Sequence, residues 1–210
     1  MGSTSLLDII GSIITFGLLL LTALRLNASA SEHSMNYQAN YILQRNMVVL
    51  TTMLEQDLRH VGAGTNATVT GLIPVITADS EDFCFLGDLT NNGIIERVEY
   101  LVGPTSELLD TPNPIDRYLT RIENATTTKM NLGVTKLKFS YYSIFDPTQK
   151  LPFPITGGNL GNIGPIEVQI ELQSPYIMKQ EYANDTSQYK MLWKQMRMIS
   201  RNSTLQTPAR

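Results

Sequence analysis

The sequence predicts an α+β fold, in which a long N-terminal α-helix lays its second half on an antiparallel β-sheet. Three observations carry this. All ten prolines fall at or after Pro74 and no glycine occurs between Gly17 and Gly62, so nothing interrupts a helix that starts near Leu6. Apolar residues recur at spacings of three and four from Leu43 to Val61, the pattern of an amphipathic helix. After Gly64 the chain turns to short runs rich in Val, Ile, Phe and Tyr, separated by Gly, Pro, Asn and Asp, which read as strands and turns.

Residues 5–26, SLLDIIGSIITFGLLLLTALRL, are apolar over the ~20 residues that a helix needs to cross ~30 Å of hydrocarbon. A secretory signal peptide is the rival reading. The ASA at 28–30 resembles a cleavage site, but residues 1–5 carry no Lys or Arg and the apolar run is longer than the 7–15 residues usual in such peptides. One acid, Asp8, lies three residues into the apolar segment. A charge at mid-bilayer costs roughly 2.5–3.5 kcal/mol on insertion scales, so Asp8 calls for a partner or a task.

Beyond Asn27 the helix becomes amphipathic, with Leu43, Met47, Leu50, Leu54, Leu58 and Val61 on one stripe that should pack on the sheet. Tyr37, Tyr41, Val48 and Met53 lie off it and are candidates for a second, intermolecular face. Gly62 and Gly64 supply the stop. About 55 residues at ~1.5 Å each make a rod of roughly 80 Å, more than twice what a membrane holds. The second half is then the spine of an external domain.

Within the β region, DFCFLGDLTNNGIIERVEYLVG places two strand-like runs around an Asn-Gly, a strong hairpin signal. The segment GPTSELLDTPNPIDRYLTRIENATTTK reads as loop-like, because its three prolines argue against a central strand. VTKLKFSYYSIF and PIEVQIELQS alternate as half-buried strands, and the final YKMLWKQMRM fits a strand or a short helix. Four to six strands result. The division is residues 1–30 (apolar helix half), 31–64 (amphipathic continuation), 65–205 (β-rich domain) and 206–210 (tail).

Composition narrows the function classes. A net charge of −3 with dispersed Lys and Arg offers no nucleic-acid surface. The single cysteine, Cys84, permits no internal disulfide, sits in a strand-like FCFL run, and with only His33 and His60 leaves little material for a Cys/His metal site. DLTNNGIIERVE puts Asp88, Asn92 and Glu99 on the first, fifth and twelfth positions of an EF-hand-type loop, a weak calcium candidate against the plain hairpin reading. No nucleophile beside a base, carboxylate pair or phosphate-cradling glycine loop is visible, so no catalytic residue and no cofactor is expected. His60 reads as a helix-end cap. Sequons at Asn27, Asn66, Asn124, Asn184 and Asn202 fit an exported, glycan-tolerant surface.

Taken together, the apolar-then-amphipathic helix and the following sheet resemble the type IV pilin-like proteins. LQRNMVVLTTMLEQDLRHVG (residues 43–62), FCFLGDLTNNGIIERVEYLVG (83–103), LGVTKLKFSYYS (132–143) and WKQMRMISRN (193–202) are similar, in order and spacing, to the larger minor pilins and J-type minor pseudopilins of type II secretion. The resemblance spans about three quarters of the chain. It implies a structural subunit of an extracellular or periplasmic filament, held in the inner membrane before an assembly platform adds it to copies of itself and other pilin-like subunits. It also implies that Asp8 matches the family's acid, which contacts the N-terminal amine of an adjacent subunit, with Leu6, Ile9, Ile10, Phe16 and Leu20 packing in the filament core. The family places a glutamate fifth in the mature chain after a short basic leader. Here the acid is an aspartate, eighth from Met1 or sixth if Gly2 ends a leader. The alternatives are a single-pass, membrane-anchored β domain that binds or adheres without polymerising, and a minor tip or initiation pilin.

Overall fold

The computed structural model describes residues 2–64, 73–178 and 188–199. These form an α+β fold with one long N-terminal helix and a seven-stranded antiparallel sheet. The chain falls into two compact units, Met1–Tyr41 and Ile42–Arg210.

The helix, α1, runs Gly2–Arg59 without interruption, as expected where neither Pro nor a mid-helix Gly intervenes after Gly17. Its end is built rather than frayed. His60 N–H donates to the Asp57 carbonyl at 3.0 Å and Ala63 N–H to the His60 carbonyl at 2.8 Å, while Gly62 and Gly64 take left-handed φ values of 74° and 73°. The His60 ring donates through Nδ1 to the Gln56 carbonyl at 2.7 Å. The turn is then stitched to the sheet, because Gly62 N–H donates to Leu86 O at 2.8 Å and Asp88 N–H to Ala63 O at 2.9 Å. So close is this approach that a Cβ on Gly87 would collide with the His60 carbonyl oxygen.

The strands are β1 (Val75–Ala78), β2 (Asp82–Gly87), β3 (Glu96–Val102), β4 (Arg117–Glu123), β5 (Thr126–Ser143), β6 (Ile163–Met178) and β7 (Gln188–Met198). Each pairs with its sequence neighbours, so the sheet is a simple meander in the order β1 to β7. The β2–β3 pair flanks the Asn-Gly, with Gly87 opposite Glu96. The long β5 bends at Gly133, whose φ of +73° marks an irregularity beside the shifted register at Val134–Lys136.

Three expectations are corrected. The segment read as a loop from 103 to 129 is a loop only as far as Asp116, and Arg117–Glu123 and Thr126–Ser143 are strands. Its prolines all precede Arg117. The missed hairpin turns on Asn124-Ala125, where Asn124 adopts φ +52° and so takes the place a glycine usually holds. With β1 and β4, which sequence reasoning did not name, and with β7, which the terminal segment forms, the sheet has seven strands rather than four to six.

One core joins helix and sheet within the second unit. Leu43, Met47, Leu50, Leu54, Leu58 and Val61 are buried against Phe83, Phe85, Val98, Tyr100, Leu137, Phe139, Tyr141 and the inward residues of β6. Phe83 is its aromatic centre, with ring centroids 5.3 Å from Phe85, 5.4 Å from Phe139 and 5.7 Å from Tyr141. Each fully buried aromatic or aliphatic side chain contributes roughly 1.5–3 kcal/mol, so the stripe alone outweighs any propensity effect in holding this part of α1.

Candidate functional site

In the first unit the helix surface itself is the candidate site. Leu6, Ile9, Ile10, Phe16 and Leu20 are all exposed, and the stretch is long and apolar enough to cross a membrane. Its hydroxyls need no outside partner. Ser12 donates to Asp8 O at 2.8 Å, Thr22 to Leu18 O at 2.7 Å and Thr15 to Gly11 O, each closing on its own helix four residues back. The exposed Asp8 carboxylate has no such recourse, because an ionised carboxylate only accepts and cannot bond to the helix's own carbonyls. An apolar surface with one acceptor-only charge can bury itself in lipid or against other helices, and only the second supplies the acid with a donor.

The proposed second face divides. Tyr37 and Tyr41, in the first unit, are 74% and 67% exposed. In the second unit Val48 is 61% exposed, whereas Met53, expected to face outward, is half-buried and packs on the core cluster. Helical drift explains the difference: Met53 lies three residues from Leu50, on the shoulder of the buried stripe.

The calcium candidates are not gathered. Asp88 accepts from the N–H groups of Asn92 at 3.0 Å and Gly93 at 2.8 Å, and Asn92 Oδ1 accepts from Ile94 N–H at 2.7 Å. Glu99 stands opposite Cys84 in β3 and receives Arg97 Nη2 at 2.9 Å. From Cys84 to Asp88 is four residues, roughly 13 Å at ~3.3 Å per residue, so Glu99 does not share a coordination sphere with Asp88. The side chain that does close the hairpin is Glu96, which accepts from Leu89 N–H at 2.9 Å. Among the described residues no group of three or more His, Cys, Asp or Glu is placed to hold a metal ion.

Of the sequons, Asn27 is exposed on α1, and Asn124 is exposed at the β4–β5 turn, where its Oδ1 accepts from Arg97 N–H at 2.9 Å. Asn66, Asn184 and Asn202 lie outside the described residues. Cys84 is buried in β2, its sulfur receiving Arg97 Nε at 3.1 Å, and burial pushes the thiol pKa up.

Two polar features escaped sequence reasoning. Asp57, beside the apolar stripe of α1, accepts from Tyr100 Oη at 2.5 Å and from Arg121 Nε at 2.7 Å, and Arg121 also reaches Glu123 at 2.6 Å. Burial works against the Arg121 charge, but these carboxylate bonds outweigh it and raise its pKa, while burial next to Asp57 raises that of Tyr100. An acid abutting a leucine stripe was the available signal; its partners, 43 and 64 residues away, left none. The second feature is Asp116, buried in the loop before β4. Comparison with protein-family models, curated proteins and solved structures gave no match to this chain.

Proposed function

We propose that this chain is a structural, non-enzymatic subunit of a type IV pilus-like or pseudopilus-like filament, held in the inner membrane by α1 before assembly and exposed at the cell surface or in the periplasm afterwards. The observation that carries this is the helix surface of residues 6–26, exposed at every position but Gly17 and carrying no charge but Asp8 until Arg25. A simple anchor has no use for a carboxylate placed inside its apolar run, where a charge must find a partner or reach back to the interface. A helix that leaves lipid to pack among copies can pair that carboxylate with an ammonium or guanidinium of a neighbour, and the pairing then favours the assembled state. The architecture of a long apolar helix leading into an antiparallel sheet is compatible with a pilin-like subunit, and the exposed Tyr37, Tyr41 and Val48 give the amphipathic half surfaces for neighbours.

Electron microscopy of material sheared from cells, with mass spectrometry of the intact chain from the same sample, tests the proposal. Filaments containing the chain support it, and the mass fixes the mature N-terminus. A chain recovered only from membranes favours the anchored, non-polymerising β domain instead.

A further inference from the structure

The loop between β3 and β4, residues 103–116, carries a buried carboxylate whose one nearby hydroxyl, that of Thr111, is bonded to the Asn113 carbonyl instead. Asp116 is 1% exposed, and neither Oδ1 nor Oδ2 has a hydrogen-bond partner. The loop around it is otherwise well bonded. Asn113, fully buried, donates through Nδ2 to Gln173 Oε1 at 3.2 Å and to Ser174 O at 3.3 Å in β6, and accepts Ile115 N–H on Oδ1 at 3.2 Å. The Asn113 carbonyl receives Asp116 N–H at 3.3 Å and the Thr111 hydroxyl at 3.2 Å. Tyr189 of β7 donates to Pro112 O at 2.9 Å.

Three ionisable groups of the neighbouring elements are engaged elsewhere, and the other described cations nearby, Lys190 and Lys194, lie on β7. Arg117 grips Glu81 at 2.8 Å, Lys129 of β5 pairs with Glu107 at 3.1 Å, and Glu171 of β6 accepts from Thr135 at 2.8 Å and Gln173 at 3.3 Å. Asp110, earlier in the same loop, adds negative charge rather than a counter-ion. A carboxylate taken out of water without a cation or donors is far less stable than the neutral acid.

We infer that residues 103–116 form a proton-latched loop, docked on the ends of β6 and β7 while Asp116 is protonated and released when it ionises. Release would uncover Leu108 and Asn113, both buried in the docked loop, next to Leu109, which is already 81% exposed. The surface that the β domain presents would therefore differ between mildly acidic and neutral surroundings. The sign follows from the buried acid. Burial raises the Asp116 pKa from 3.8 to about 6, with the Thr111 hydroxyl opposing, so docking is fully favoured below the ordinary value and is lost as pH rises through about 6. Between those two values the released fraction grows by up to about tenfold per pH unit, and above about 6, where docked and released forms are both ionised, it levels off.

Hydrogen exchange of residues 105–116 in the full-length chain in detergent, corrected for the intrinsic pH dependence of exchange, tests this between pH 4.5 and 7.5. The expected result is protection that falls about tenfold between pH 4.5 and pH 6 and levels off above it, and an Asp116→Asn variant whose protection is flat across the range. Flat protection in the unaltered chain, or the same slope in Asp116→Asn, overturns the latch. Should Asp116→Asn not fold, a carbon-13 titration of the Asp116 carboxyl in the unaltered chain decides. A midpoint near 6 supports the inference, and one in the ordinary carboxylate range overturns it.

Discussion

The Asp57 carboxylate of α1 lies 2.7 Å from Nε of Arg121 in β4, an ion pair made where the helix meets the sheet and shared with the Tyr100 hydroxyl. Side-chain exposures of 9% and 16% put it close to the buried limit, where removing one partner strands the other. Arg121→Ala should cost about 3 kcal/mol, the low end of the range for fully buried pairs because Arg121 keeps some contact with water. Replacing all three polar groups together, as Asp57→Leu, Arg121→Met and Tyr100→Phe, should recover most of that loss. Urea denaturation of the single and triple variants checks both; a triple variant no better than Arg121→Ala would show that the network adds stability of its own.

Backbone proximity makes a sharper prediction at Gly87. A side chain there meets the His60 carbonyl, and backbone on both sides is fixed by the Gly62–Leu86 and Asp88–Ala63 hydrogen bonds. Gly87→Ala should destabilise the domain by at least about 2 kcal/mol. Gly93→Ala is the control: φ is +83° but nothing lies within 4 Å of its Cβ position, so only the left-handed backbone cost of roughly 1–2 kcal/mol applies. Thermal melts of the two variants should therefore rank Gly87→Ala below Gly93→Ala.

Such features explain what the sequence could and could not disclose. The stripe from Leu43 to Val61 and the Asn-Gly hairpin are local patterns, readable because each repeats within one turn or pair of residues along the chain. The β4–β5 hairpin hid behind Asn124-Ala125, where an asparagine does a glycine's work, and behind prolines that end at Pro114, just before the strand-forming part of the same segment. Met53 hid in the three-residue difference between the stripe and its shoulder. Asp57 and Asp116 were invisible as sites because their character comes from burial and from partners, or the lack of them, on strands far away in sequence. The exposed helix surface and Asp8, by contrast, were legible at once, since a membrane-length apolar segment needs no tertiary context to be recognised.

Acid should weaken the β domain through Glu81. Its hydrogen bond with Arg117 holds the Glu81 pKa below the ordinary value of 4.5, so it stabilises the fold above the unfolded pKa and this contribution disappears as pH falls through the folded one. Asp116 acts in the opposite sense at higher pH. Stability measured by chemical denaturation should then rise from strongly acidic pH to about 4, fall again as pH rises toward about 6, and level off above it. Glu81→Gln should flatten the acid limb and leave the upper limb in place; an unchanged acid limb would assign it to other carboxylates.

Assembly is where Asp8 should matter. No charge lies within a turn of it on α1, and the nearby Ser12 and Thr15 hydroxyls are spent on the helix's own carbonyls, so Asp8→Ala tests assembly apart from the fold of the sheet domain. Asp8→Ala should leave the denaturation curve of the β domain unchanged. In a filament, however, losing a paired carboxylate in an apolar bundle leaves its ammonium or guanidinium partner unmatched, and ~2 kcal/mol per contact would lower the association constant about thirtyfold. Asp8→Glu, which keeps the charge but moves it by one methylene, should assemble better than Asp8→Ala and worse than the unaltered chain. Sheared-filament yield, normalised to the amount of chain in the membrane, separates the three. Equal yields from all three would remove the reason for preferring a filament over an anchor, because the acid would then have no partner to find.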